Sequence, residues 1–227
     1  ILTFKEQIKT TMKKSALIFF AIVAMADLAA VTFNITAVNA VAKPLLVPAL
    51  AVYYLSATKQ KSFLFLTALF FCWLGDVLLM VKGEMYFMGG LAAFLTGHVL
   101  YVVCYRKLRT QGVGLNGPQR IRYALPIVLA GTGLVTVLFP HLGNLQIPVM
   151  VYALVITLMS LQALFRYGYT SKPSFILVFC GAISFMISDS LLAINKFMQP
   201  LPLSGLAIML TYLLAQYLIV EGVLKHE

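Results

Sequence analysis

Two aspartates stand where an apolar chain can least tolerate them. Asp76 lies in Phe71-Cys72-Trp73-Leu74-Gly75-Asp76-Val77-Leu78-Leu79-Met80, and Asp189 in Met186-Ile187-Ser188-Asp189-Ser190-Leu191-Leu192. Both contexts read small residue, Asp, any residue, Leu-Leu, and they lie 113 positions apart, about half the chain. An ionisable side chain at membrane depth is costly and marks a functional site by default. Two carboxylates in matching contexts can divide the work of acid and base, one protonated and one ionised. The competing structural reading has each Asp capping a neighbouring backbone or bonding a serine such as Ser188.

Other polar groups fall at similar depth. Asp76 is six residues before Lys82, and Asp189 is seven before Lys196. Helical rise puts both about 9–10 Å inside one membrane boundary. Asp27, seven residues before Asn34, sits at about the same depth, and His98 and Tyr212 at about 12–14 Å. These groups could converge on one polar chamber. Lys43 is the nearest candidate cation. Gly181, Ser184 and Ser188 form a small-residue stripe, one turn apart, that lets another helix approach closely. Tyr53, Tyr86, Tyr101 and Tyr105 read mostly as interfacial anchors.

The elements that must position these groups are membrane helices. The chain has 227 residues, 61% hydrophobic and 11% charged, and a mean hydropathy of +0.94. A soluble domain has about 45–50% apolar and about 25% charged residues. The fold class is all-α: a polytopic bundle, one domain over residues 1–227. Eight spans are expected, at about 15–33, 43–56, 62–81, 86–105, 123–139, 147–165, 174–194 and 203–223. Residues 12–26 have the look of a signal peptide, but the apolar run continues to Phe33 and is long enough to span. The second span starts at Lys43-Pro44, with Pro in the first turn. The segment 106–122, with Gly112, Gly114, Gly117 and Pro118, reads as a loop.

The net charge of +10 does not point to nucleic acid, because the positive charges sit in short links between apolar runs. Fourteen Lys and Arg, from Lys5 and Lys9 through Lys225, fall on the side of the N-terminus; Lys43, Lys82 and Lys196 fall on the other. The positive-inside rule then places both termini in the cytoplasm. In a bacterium the host membrane is the inner one. Cys72, Cys104 and Cys180 sit in apolar runs without metal or disulfide spacing and read as buried small side chains. No Walker loop, GxGxxG, HExxH or GxSxG is present, which argues against nucleotide, zinc-protease and serine-hydrolase sites.

The halves resemble each other. Gly90-Leu91-Ala92-Ala93-Phe94-Leu95-Thr96 and Gly205-Leu206-Ala207-Ile208-Met209-Leu210-Thr211 agree at five of seven positions, at an offset of 115. With the Asp pair, this predicts a parallel repeat of four plus four helices, with halves 15–105 and 123–223.

Five short motifs, in order along nearly the whole chain, carry a resemblance to a known family. They are Lys43-Pro44-Leu45, Gly75-Asp76, Gly97-His98-x-x-Tyr101, Ser188-Asp189-x-Leu-Leu and Tyr212-x-x-Ala215-Gln216. Together they resemble the YhhN/TMEM86 family. The resemblance implies eight spans and lysoplasmalogenase activity: cleavage of the vinyl-ether bond of a lysoplasmalogen to a fatty aldehyde and glycerophospho-ethanolamine or -choline. It implies that Asp76 and Asp189 are catalytic; Asp27 has no clear counterpart. Asp27, Lys43, His98, Tyr101, Ser188, Tyr212 and Gln216 are expected to support the site.

The residues suit that chemistry. A vinyl ether hydrolyses by rate-limiting protonation of the alkenyl carbon distal to oxygen, giving an oxocarbenium ion. Water adds, and the hemiacetal collapses to aldehyde and alcohol. A proton donor, a negative charge and a base are needed, and two carboxylates supply all three. No metal or organic cofactor is required. The partners are the lysophospholipid and the bilayer. A proton-coupled carrier is the rival reading, since carriers also combine repeats with midmembrane acids. A structural scaffold would leave the Asp pair unexplained.

Overall fold

The computed structural model describes residues 4–226; the side chains of residues 4–9, including Lys5 and Lys9, lie outside the described part. Eight α-helices are present among the described residues: α1 (Phe4–Thr32), α2 (Thr36–Ala57), α3 (Phe63–Met80), α4 (Glu84–Lys107), α5 (Gly117–Leu138), α6 (Gln146–Leu164), α7 (Lys172–Phe197) and α8 (Ser204–Leu224). Two short 3-10 turns join α5 to α6. Each of the eight helices is long and apolar enough to cross a membrane. Many large side chains point outward, among them Ile22, Phe63, Leu129 and Leu154. In water that would be costly; in lipid it is the expected outer face.

α1 begins at Phe4 rather than near residue 15; two further helix starts differ from the sequence reading, and both trace to proline. The expected link 34–43 is mostly helix, because α2 begins at Thr36 and carries Pro44 and Pro48 in its interior. Pro48 has no N–H, so the carbonyl four residues earlier, on Pro44, loses its usual partner. The indole Nε1 of Trp73 on α3 donates to that oxygen at 2.9 Å. Membrane helices tolerate Pro when a neighbour satisfies the freed group in this way.

The second difference is at α5, which starts at Gly117, so the loop shrinks to residues 108–116. The Asn116 side chain accepts from the Gln119 N–H at 2.9 Å, and the Gln119 side chain accepts from the Asn116 N–H at 3.1 Å. With Pro118 at the first turn, the residues that read as loop punctuation are a helix start.

The chain divides into two compact units, residues 4–97 and 98–226. In the first, glycines let α3 and the start of α4 approach closely. A Cβ on Gly75 would lie 2.5 Å from a Phe94 ring carbon, and one on Gly90 would lie 2.7 Å from Leu79. In the second, a Cβ on Gly181 would meet the Ala215 carbonyl at 3.0 Å and one on Gly222 the Val178 amide at 2.8 Å, so α7 and α8 pack backbone to backbone. Cys72 and Cys104 are buried as expected, but Cys180 is exposed, on the outer face of α7.

Candidate functional site

Asp76 is 4% exposed and Asp27 is fully buried. Both belong to the first unit. Asp76 follows Gly75, the position that admits the Phe94 ring. Asp27 accepts from Nδ2 of Asn39 at 3.0 Å through Oδ1. Its Oδ2 is buried and meets no hydrogen-bond partner among the described residues. Lys43, half-buried on α2, acts on Asp27 electrostatically. Lys43 is eight residues into α2 rather than at its end, because the helix starts earlier than Pro44 suggested.

Asp189 lies in the second unit, half-buried on α7. The Tyr152 hydroxyl on α6 donates to its Oδ2. A small cavity of about 30 Å³ opens beside this pair, walled by apolar side chains such as Leu138, Ile156 and Met186 and edged by Thr157 and Ser190. That volume suits ordered water, which needs a few polar partners of the kind Tyr152 and Asp189 provide.

From Tyr152 a chain of polar and aromatic groups runs through the unit. The His98 ring lies edge-on to Tyr152 at 5.5 Å and to Phe185 at 4.6 Å between centroids. Phe185 in turn lies edge-on to Tyr212 at 5.4 Å. Tyr212 accepts from Nε2 of Gln216 at 3.2 Å, and Oε1 of Gln216 accepts from the Tyr101 hydroxyl at 3.1 Å. His98, Tyr101, Tyr212 and Gln216 are all buried. Ser188, beside Asp189, does not bond that acid; its hydroxyl donates to the Ile208 carbonyl on α8 at 3.0 Å.

The second unit thus gathers five of the expected residues, Asp189, His98, Tyr101, Tyr212 and Gln216, around Tyr152 and Phe185. Ser188 serves the α7–α8 contact instead. Of the four tyrosines read as interfacial anchors, Tyr53, Tyr101 and Tyr105 are buried, and only Tyr86 is exposed. Tyr152 was not singled out in the sequence. It is the seventh residue of α6, about 9 Å along the helix. The depth arithmetic applied to the aspartates would have placed it level with Asp189.

Eight apolar helices with buried carboxylates define a multi-pass membrane protein. Residues 38–223 match the YhhN family, and the chain belongs to it. It is 34% identical over 140 residues to the human protein named lysoplasmalogenase TMEM86B, covering 61% of this chain and 54% of the relative. It is 31% identical over 138 residues to a Mycobacterium tuberculosis lysoplasmalogenase, covering 60% and 50%. It is 31% identical over 155 residues to bovine lysoplasmalogenase TMEM86A, covering 66% and 61%. The matches thus span about half to three-fifths of these relatives' lengths. No solved structure matches the chain significantly.

Proposed function

We propose that this protein hydrolyses the vinyl-ether bond of lysoplasmalogens, with Asp76 and Asp189 as its acid and base. The observation that carries the reading is a pair of aspartates in repeated contexts within membrane spans, in a chain whose relatives bear the name lysoplasmalogenase. Tyr152 donates to Asp189, so this carboxylate meets its neighbour as an acceptor, which is the role of a base. The proton donor to the alkenyl carbon is then Asp76. Water drawn from the cavity beside Asp189 adds to the oxocarbenium ion, and Asp189 takes its proton. The hemiacetal then breaks to a fatty aldehyde and a glycerophospho-ethanolamine or -choline. Protons balance, and the cycle closes once the proton that Asp189 takes from water is returned to Asp76.

The topology belongs to the same proposal. Both termini are cytoplasmic, a placement the distribution of Lys and Arg supports, and the bundle is a parallel four-plus-four repeat. Two contacts support the repeat. The residue before each Asp lies against the helix that follows, Gly75 at Phe94 and Ser188 at Ile208. Phe94 and Ile208 are within one position of equivalence at the offset of 115. In a bacterium the protein sits in the inner membrane.

The test is release of fatty aldehyde from a lysoplasmalogen by the purified protein, beside the saturated alkyl-ether analogue. The vinyl ether should react and the alkyl ether should not, because only the alkene accepts the initiating proton. Accumulation of intact lipid in sealed vesicles, without aldehyde, would favour a carrier instead.

A further inference from the structure

The acid/base reading makes no use of the arginines at the opposite end of the second unit. Arg166, in the turn between α6 and α7, is fully buried. Its Nη2 donates to the Ser174 hydroxyl at 2.9 Å and to Thr170 Oγ1 at 3.5 Å. The Ser174 hydroxyl donates to the Gly222 carbonyl at 2.5 Å, so it faces Arg166 as an acceptor. The guanidinium stacks over Tyr105 at 5.8 Å. Its Nε and Nη1 are buried and meet no hydrogen-bond partner among the described residues.

Arg109, in the loop before α5, repeats the pattern. Its Nη2 donates to Gln162 at 2.8 Å, and it lies over the Tyr169 ring at 5.9 Å, but its buried Nε has no partner among the described residues. The loop carrying Arg109 is tied to the turn carrying Arg166. The Thr110 N–H and hydroxyl both donate to the Tyr169 carbonyl, at 2.7 and 2.9 Å. Neither arginine has a carboxylate partner among the described residues. In residues 98–226 the acids are Asp189 and Glu221, against nine Lys and Arg.

A buried cation with unmatched donors is unfavourable unless an anion completes it. Burial pushes both guanidinium groups below their ordinary range. Arg106 and Arg120 push Arg109 the same way, and Arg109 does so for Arg166. Planar N–H forks held on two tethered segments suit a tetrahedral oxyanion, which can accept from several donors at once. The setting, where the spans ending at Lys107 and Leu164 meet their loops, is the depth of lipid phosphates.

We propose that Arg109 and Arg166 form a phosphate-binding site, filled by a phospholipid headgroup or by free phosphate. It is not the place of the reacting lipid's own phosphate. Ser174, which bonds Arg166, is 15 residues before Asp189 on α7, about 22 Å of rise. A glycerol backbone alone separates vinyl ether from phosphate in a lysoplasmalogen and cannot span that distance. The site therefore stands apart from the hydrolase reading, and its test reads binding rather than turnover.

The full chain, purified in maltoside micelles, is titrated with inorganic phosphate or with phosphatidic acid. Thermal unfolding and calorimetry are followed, with sodium chloride of equal ionic strength as control. Saturable binding and a raised unfolding temperature are expected in at least one arm. A response to phosphate alone assigns the free ion, and a response to phosphatidic acid assigns a lipid headgroup. Arg109→Gln and Arg166→Met should each weaken binding by ~10-fold or more, the value of a hydrogen bond to a charged group. If Arg166→Met does not fold, Arg109→Gln decides. No response in either arm, an equal response to chloride, or unchanged binding by Arg109→Gln would overturn the site.

Discussion

The Tyr152 hydroxyl donates to Oδ2 of Asp189, across the α6–α7 contact and at the edge of a cavity large enough for water. A rotating carboxylate is thereby held by a rigid ring on another helix. Such support holds a reacting group in its productive geometry.

Tyr152→Phe removes the hydroxyl and keeps the ring. Turnover should fall about 10–100-fold, the range for a hydrogen bond to a charged group, with KM little changed. The pH profile of kcat should move as well, which loss of packing alone would not cause. Aldehyde release measured across pH checks this; an unmoved profile with normal kcat would remove Tyr152 from the mechanism.

Asp76→Asn and Asp189→Asn should each lower turnover by at least ~10³-fold, within the range for general acid–base catalysis. Asn keeps the shape but neither gives nor takes the proton. The double variant should be scarcely worse than either single one, because groups acting as a unit are not additive. Folding should survive in all three, to be checked by thermal unfolding beside the rate measurement. Near wild-type turnover in a folded single variant would end the two-carboxylate mechanism.

Gly75→Ala should destabilise the first unit by about 1–3 kcal/mol, the usual penalty of overpacking. The added methyl would fall 2.5–2.9 Å from three Phe94 ring atoms. Combining it with Phe94→Ala should recover much of the loss that Gly75→Ala adds, a coupling a double-mutant cycle measures directly. Full additivity would mean that the two positions do not meet.

Single cysteines placed at Lys14 and in the loop at residue 113 should label from the same side of the membrane, and one at Lys82 from the other. The reasoning is the clustering of Lys and Arg on one side. Labelling of all three from one face would require a different span count.

The spans and the acids were legible because lipid imposes a simple grammar. An apolar run of sufficient length reads as a helix, and a carboxylate inside it stands out. Helix ends were less legible where one residue type carries two meanings. Pro44 fits a first turn, but also an interior turn whose partner is supplied from elsewhere, and Trp73 on another helix decides it. Partners were not legible at all. Tyr101 and Gln216 were both expected near the site, but nothing in the sequence shows that, 115 positions apart, one donates to the other. Arg166 is one of the fourteen basic residues counted on the side of the N-terminus, and its burial depends on how α6, α7 and α8 end together.

The indole that closes the gap in α2 belongs to the chain's single tryptophan. Ultraviolet-excited emission from this protein is therefore dominated by one fluorophore whose N–H is engaged with the Pro44 carbonyl. Its wavelength and quantum yield report the seam between the second and third helices without any attached dye. Loosening of that seam, by heat, by lipid or by substitution at Pro48, becomes an optical signal built into the chain.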